Sequence, residues 1–563
     1  MLFSKSLKNF AIPTVLEGLI NLKVKRFFCV NSKSRMLFLS RLVLIATLFS
    51  VNGCVTMLGP DYVRPEPPRQ DEWVNEEDVR IKSETDDYSN WWTIFNDTIL
   101  TTLVKNAYEQ YLPLRIAGIR ILEARAQLGV AIGDKYPQLQ RLQGAYSRKN
   151  LSENAPNSGL ADQAFGEYGF GFDSGWEVDF WGKFRRGVEA SIGDLEASIA
   201  NYDDILVTLT SEVARTYVLM RTFEARLDVR RENVKVQERS LQIAQAQFTG
   251  GAVTELDVQQ AKSLLHDTQA LIPSLESGVR RAKNALAVLL GTLPGKIDNI
   301  LNKSGLIPPA PDKIAVGLPA ELLRRRPDIR LAERQVAAQS PRIGVAKTDM
   351  YPHFSLLGSI GLRTGDSNNA STQGRDVGDL FESDSIEFSA GPSFQWDILN
   401  YGQIRNKIRV QDARLQQAIV NYKNTVLDAS LEVENAMIDF LRSQEEEMFL
   451  DYSVKASKRS VDLSLLQYRE GLVSYQRVLD TQRFLTQQQD RLHETTGSVS
   501  INLIAIYKSL GGGWQIRKGN DFVPIETRKQ MKERTNWGDL LMLEEIKTPP
   551  SEEYGKKRQL PDW

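Results

Sequence analysis

Two kinds of hydrophobic pattern alternate along the chain, and the pair occurs twice. After Pro352 the apolar positions fall at Phe354, Leu356, Ile360 and Leu362, then at Ile386, Phe388, Ala390, Phe394, Trp396 and Ile398. An earlier stretch keeps the same period of two at Tyr168, Phe170, Phe172, Trp176, Val178 and Phe180. Alternation with aromatics on one side predicts strands with a single apolar face. The strand after Pro137 is interrupted by Arg141 and Gln143 and is inferred from its counterpart after Pro352. Two hairpins are therefore expected, 138–180 and 353–398, with the polar stretches Arg148–Gly166 and Arg363–Ser385 as solvent loops.

After each hairpin the period changes. Phe184 to Phe248 contains no proline and little glycine, which predicts one helix over 184–248, roughly 100 Å long. Val213, Met220, Leu227, Val234, Leu241 and Phe248 recur by sevens. A second helix over 404–468 repeats the ladder at Val433, Phe440, Val454, Val461 and Tyr468, with Glu447 breaking it. A seven-residue repeat makes a left-handed coiled-coil seam, which fits the wall of a tube or a plain rod. Glycine ends each outgoing helix: Phe248–Thr254 parallels Tyr468–Ser474, with Gly251 and Gly471 at the turns followed by Val253 and Val473. Thr254 and Ser474 are placed to cap return helices over 254–290 and 474–510. A further helix, Ile329 to Met350, leads into the second hairpin.

The halves are copies. A displacement of 220 residues brings Trp176 onto Trp396, Gly182 onto Gly402, Asn201-Tyr202 onto Asn421-Tyr422, Gly251 onto Gly471 and Leu290-Gly291 onto Leu510-Gly511. Upstream the displacement is 215, matching Leu114–Ala117 with Ile329–Ala332 and Tyr136-Pro137 with Tyr351-Pro352. The organisation expected is an N-terminal extension and signal (1–53), an anchor segment (54–100) and a first repeat (101–291). A proline-rich equatorial linker (292–327), a second repeat (328–511) and a C-terminal periplasmic extension (512–563) complete it.

The N-terminus changes the picture most. Lys33, Arg35 and Arg41 precede the apolar run Leu42–Val51, and Asn52-Gly53-Cys54 follows, the three parts of a secretory signal. A cysteine directly after the cut site resembles a bacterial lipoprotein signal, with Cys54 as the lipidated first residue; the alternative is an ordinary buried thiol. Residues 1–35 read as an upstream extension, with Met36 as a start. Cys29 is the only other cysteine, so no disulfide is expected in the mature chain.

Charge and chemistry mostly exclude. The 70 basic and 71 acidic residues balance, so no global field favours nucleic acid. No apolar run reaches the ~18 residues of a membrane helix, although strands cross bilayers on a weaker, alternating signal. His266, His353 and His493 are isolated, without metal-ligand spacing. No phosphate-cradling loop or nucleophile motif is present, and Asp328 with Arg324–Arg326 reads as structural. Neither an enzyme, a metal site nor a cofactor is expected, beyond a covalent lipid on Cys54.

Lipid cannot satisfy open strand edges, and four strands cannot close a barrel alone. In a membrane the strands therefore require other copies, and three copies give twelve strands around an aqueous lumen. Tyr168, Trp176, Trp181, Trp396 and Tyr401 suit interfacial girdles, or equally a soluble β layer packed on helices.

Residues 54–514 resemble the outer membrane factors, TolC-like channels, in their NodT-type efflux lipoprotein branch. The resemblance is carried by Cys54 with Gly59–Pro65, Trp91-Trp92 with Phe95 and Asp97, Trp176–Gly182, Gly251–Asp257, Gly317–Asp328 and Leu510–Trp514. It implies a mixed α + β homotrimer: a twelve-stranded outer-membrane β-barrel, four strands per protomer, continued by a periplasmic α-helical coiled-coil barrel. It further implies a lipid-anchored, multi-pass protein of the cell outer membrane, docking on a periplasmic adaptor that serves an inner-membrane pump of RND type. Drugs, metal ions or other small compounds would leave passively through it. By matched position Gly251, Val253, Thr254, Gly471, Val473 and Ser474 are the adaptor contacts. Asp480, with Gln476 one turn earlier, is the gate, or else a solvated helix residue. A duct for secreted proteins and a non-channel periplasmic scaffold lipoprotein remain as alternatives. The family usually ends soon after a segment like Gly511–Trp514, so the residues beyond it read as an added periplasmic segment.

Overall fold

The computed structural model describes residues 57–541 apart from 69–71, 75–76, 83, 85–86, 153, 155–163, 302–304, 318, 320–321, 323–324 and 367–376. Cys54 and the signal lie outside the described residues.

The first repeat runs through α1 (Thr98–Gln110), α2 (Leu112–Gly133), β2 (Leu139–Asn150), β3 (Ala164–Glu177), α3 (Lys183–Thr249), α4 (Glu255–Ala270) and α5 (Ile272–Leu289). The second runs through α6 (Pro327–Thr348), β5 (His353–Asp366), β6 (Ile386–Gln395), α7 (Gln403–Arg469) and α8 (Tyr475–Ser509), and α9 (Ile525–Arg534) follows. Short strands β1 (Ile81–Lys82) and β4 (Ile314–Ala315) pair in parallel and tie the N-terminal segment to the linker. Both α3 and α7 have 67 residues, about 100 Å of helix each. Among the described residues no helix is long and apolar enough to cross a membrane.

The four long strands form one antiparallel sheet in the order β2–β3–β5–β6, leaving β2 and β6 as edges. The register aligns Leu142, Phe172, Ile360 and Phe388 across it. Period two then puts Leu142, Tyr146, Phe170, Phe172, Ile360, Phe388 and Phe394 on one face. Among the described residues nothing covers that face; Phe388 is 80% exposed. The strands reach further into the supposed loops than their composition suggests: Arg148–Asn150, Ala164–Gly166 and Arg363–Asp366 are all strand. Lys149 and Arg363 lie on the face opposite the apolar one, whereas Arg148 and Asp366 continue the apolar face's own rows, so a charged residue does not mark a strand end.

The return helix of the first repeat is not continuous over 254–290. It breaks at Leu271, and α5 restarts with Pro273 in its first turn. Proline lacks an N–H and its ring excludes the carbonyl four residues back, which a helix start tolerates and an interior does not. The second return helix, without proline, runs 35 residues unbroken.

The seven-spaced ladder also drifts. Val213, Met220 and Leu227 are buried, but further along α3 the buried positions become Asn233, Gln237, Ser240 and Ala244, and Phe248 is largely exposed. In this part α3 packs on α4 and α8, and the stripe that faces them lies one residue before the ladder positions Val234 and Leu241.

The main core lies where the linker and both termini wrap the long helices. Trp91 stacks on Tyr507 with ring centroids 5.4 Å apart, and Trp92 sets its edge against Trp91. Gly513, with φ +95°, has no room for a side chain: a Cβ would meet Thr210 Oγ1 at 2.7 Å. The N-terminal segment is strapped down by Leu58 N donating to Trp181 O (3.1 Å) and Trp73 Nε1 to Gly317 O (2.8 Å). Beyond Trp514 the chain is less irregular than its composition suggests. Val523, Met531 and Leu541 bury Leu122 of α2, and Phe522 meets Tyr202 edge-on at 5.1 Å.

Arg326 is structural. It pairs with Asp328 (2.7 Å) and Glu432 (2.8 Å) and donates to Ser509 O (2.8 Å). Burial, then Asp328 and Glu432, push the nearby Asp204 carboxyl up to about 6. A carboxyl with a raised folded-state pKa holds its proton more tightly when folded, so stability falls as pH rises from about 4 to about 6. Asp204→Asn is therefore expected to raise stability at pH 7 by about 1–2 kcal/mol, discounted for partial exposure. Thermal melts at pH 7 and pH 4 check this; the gain disappears at the lower value.

Candidate functional site

The end of the molecule furthest from the sheet is built by two turns. At each, the helix closes as a Schellman motif. Gly251 N donates to Phe248 O (3.0 Å) and Ala252 N to Gln247 O (2.9 Å); Gly471 N donates to Tyr468 O (2.9 Å) and Leu472 N to Gln467 O (2.8 Å). Both closures require a left-handed residue, and Gly251 (φ +69°) and Gly471 (φ +72°) supply it. Thr254 and Ser474 occupy the N-cap positions, but neither side chain bonds the helix start. The expected side-chain caps are thus absent, and both hydroxyls are left exposed at the tip.

The two turns share a small core of Ala244, Val258, Ala261, Leu264, Tyr468, Tyr475, Val478 and Leu479, with Val253 and Val473 packed against it. Tyr475 meets Tyr468 at 5.0 Å between rings, and its hydroxyl lies 3.0 Å from Ser240 Oγ on α3. Burial, with Asp257 and Tyr475 adding to it, pushes the Tyr468 hydroxyl up to about 12, so it stays protonated. Leu256 and Leu472 are exposed beside the turns, an apolar pair the sequence reading passed over.

Gln476 and Asp480 stand one turn apart on α8, both exposed, with Gln476 Nε2 donating to Asp480 Oδ1 at 2.9 Å. Asp480 also lines a shallow cavity of about 330 Å³ with Arg477, Thr481 and Phe484 of α8 and Ser457 and Ser460 of α7.

Above the tip, α3 and α8 meet along a polar seam. Arg226 holds Asp490 through two bonds (3.0 and 2.9 Å), Arg230 reaches the same carboxylate (3.2 Å), and Asn233 Nδ2 donates to Gln489 Oε1 (2.9 Å). These residues were legible only as polar interruptions of the ladder. Gln237 and Gln482 are each 3% exposed, and their amide atoms have no hydrogen-bond partner among the described residues. Gln237→Leu and Gln482→Leu are each expected to stabilise the protein by about 1–3 kcal/mol, because an unmet buried amide costs that much. A lower thermal midpoint in either variant contradicts this and shows the amide to be paired across a subunit contact. His353 Nδ1 donates to the Glu177 carboxylate (2.8 Å) beside Lys183, and His493 stands beside Asp490 and Arg226 with its pKa lowered by burial. Among the described residues no group of three potential ligands could hold a metal ion.

A membrane-length sheet with open edges, one bare apolar face and paired 100 Å helices ending in turns defines a channel subunit rather than a self-contained domain. The family model for outer membrane efflux proteins matches residues 103–292 and 318–512, one match to each repeat. The chain belongs to the outer membrane efflux protein family; it is an outer-membrane channel protein and not an enzyme. It is 30% identical over 485 residues to the probable outer membrane lipoprotein SilC of Salmonella typhimurium, covering 85% of this chain and 100% of SilC. It is 28% identical over 487 residues to the cation efflux system protein CusC of Escherichia coli O6:H1, covering 84% of this chain and 99% of CusC. The solved outer-membrane channel OprN superposes with a TM-score of 0.74 at 30% identity, covering 81% of this chain and 99% of OprN.

Proposed function

We propose that three copies close a twelve-stranded barrel in the outer membrane, and that their helices continue its lumen as a tunnel through the periplasm. The observation that carries this is the sheet itself: among the described residues, β2 and β6 are unpaired edges flanking an uncovered apolar face. Lipid admits neither an open edge nor a lone four-stranded sheet, whereas pairing of β6 with β2 of a second copy removes every edge at three copies.

The channel is the exit of a tripartite efflux system. A lipid on Cys54 anchors the N-terminal segment, and the turns at Gly251–Thr254 and Gly471–Ser474 dock on a periplasmic adaptor served by an RND-type inner-membrane pump. Val253, Val473 and the exposed Leu256 and Leu472 give those turns apolar contact area. Drugs or metal ions pass without energy input from this chain. Three Asp480 carboxylates around a narrow axis repel one another and attract cations, so conductance responds to pH and divalent ions.

Removing the gene from its own host tests the transport step. Higher accumulation of ethidium or of copper ion, reversed by the wild-type gene and not by Cys54→Ala, supports the reading. Unchanged accumulation together with loss of a secreted protein contradicts it and favours a protein-secretion duct.

A further inference from the structure

On the sheet face opposite the aromatics, each of the four strands contributes one charge near its loop end. Lys149 of β2 pairs with Glu167 of β3. Arg363 of β5 reaches Glu167 (3.2 Å) on one side and Glu387 of β6 (3.4 Å) on the other. The signs alternate across the sheet as plus, minus, plus, minus. The placement follows from the register. Leu142, Phe172, Ile360 and Phe388 align on the apolar face, and each of the four charges lies an odd number of residues from them. Nearer the helices the same face carries Arg141, Asp173, Ser359 and Ser389 in one aligned row, with Ser359 Oγ 2.9 Å from Ser389 Oγ.

Stability does not explain the arrangement. Lys149, Arg363 and Glu387 are about half exposed, and such pairs contribute roughly 0–1 kcal/mol. Their position does distinguish them. Helices α2, α3, α6 and α7 all join the opposite ends of the strands, so the four charges sit at the end remote from the tunnel.

We propose that Lys149, Glu167, Arg363 and Glu387 form a charge-balanced girdle around the outer mouth of the lumen and set which charges pass there. The proposal rests on the trimeric barrel described above. Three copies make a neutral ring of alternating sign, which neither concentrates nor repels ions of one sign. Permeants of either charge, and dipolar ones that align with the local fields between neighbouring charges, cross it. Removing one sign of charge makes the mouth selective.

A reporter thiol placed below the girdle tests this. Apart from Cys29 and Cys54 the chain has no cysteine, so Ser359→Cys supplies a single unacylated thiol on the polar face of the mature protein. Intact cells are treated with membrane-impermeant anionic (sulfonate) and cationic (trimethylammonium) methanethiosulfonates, and the ratio of the two labelling rates is read. Relative to the otherwise unaltered girdle, Arg363→Gln is expected to lower the anionic-to-cationic ratio about three- to tenfold, and Glu387→Gln to raise it comparably, with three copies acting together. The exchanged pair Lys149→Glu with Glu167→Lys stays neutral and keeps the starting ratio. A ratio within about twofold of the start in both single variants overturns the girdle, since three unit charges at the mouth demand more. So does a Ser359→Cys thiol that neither reagent reaches. The barrel itself is read separately from Ile360→Cys, one residue along and on the apolar face. Protection of that thiol upholds the barrel, and labelling as fast as at Ser359→Cys removes the sheet from the bilayer and the girdle with it.

Discussion

Asp490→Ala is expected to weaken the seam between α3 and α8 by about 3–5 kcal/mol, because it strands two guanidinium groups in a mostly buried contact. Arg226 and Arg230 converge on this carboxylate, their side chains 19% and 12% exposed and that of Asp490 18%. Glu494, 3.4 Å from Arg226 but largely exposed, is a poor substitute. Burial pushes the Asp490 carboxyl up, but its bonds and charge contacts with Arg226 and Arg230 outweigh this and hold it below the usual range. Because the folded-state pKa is depressed, the contribution is present above the ordinary aspartate range and is lost as pH falls through the folded value. The seam lies between the core and the tip, so its loss loosens the hairpin ends before the rest of the chain. Hydrogen exchange of the α8 amides near residue 490 is expected to accelerate at pH 7, with larger single-channel conductance in planar bilayers. Arg226→Ala leaves Arg230 on the carboxylate and has the smaller effect. Equal effects of Asp490→Ala and Arg226→Ala, or none, contradict the seam's role.

Trp92→Ala is expected to cost about 3–5 kcal/mol, the loss that follows when a large aromatic leaves a core that cannot collapse. Trp92 is 1% exposed, wedged beside the Trp91–Tyr507 stack that joins the N-terminal segment to α8. The variant should melt well below the wild type and free the segment around Trp73 and β1 for proteolysis. Val79→Ala in the same segment, at 79% exposure, should stay within about 0.5 kcal/mol. A Trp92→Ala melt matching that control contradicts the placement of the core.

What the sequence made legible was whatever repeats with a fixed period. The aromatic alternation around Phe172 and Phe388, the long helices after Gly182 and Gly402 and the paired turns at Gly251 and Gly471 could all be read from spacing and glycine. Other features depend on which way a residue faces, and composition does not encode that. Lys149 and Arg363 look like loop residues until the register places them on a water-facing side of a strand. Asn233 and Gln237 look polar and surface-like until the packing of α3 on its neighbours puts them in the buried stripe. The break at Leu271 is encoded by Pro273, which has no counterpart in the unbroken second return helix. The tail beyond Trp514 has too few apolar residues for a period, and Phe522, Val523 and Met531 act singly as anchors.

The most direct test of the account is single-particle imaging of the protein purified in detergent from outer membranes. The expected result is a threefold hollow cylinder well over ~100 Å long, as three 67-residue helix pairs standing below a barrel require. Solid rods, or monomers released without detergent, would contradict the channel and leave the uncovered face of Leu142, Phe172, Ile360 and Phe388 to be explained by another partner.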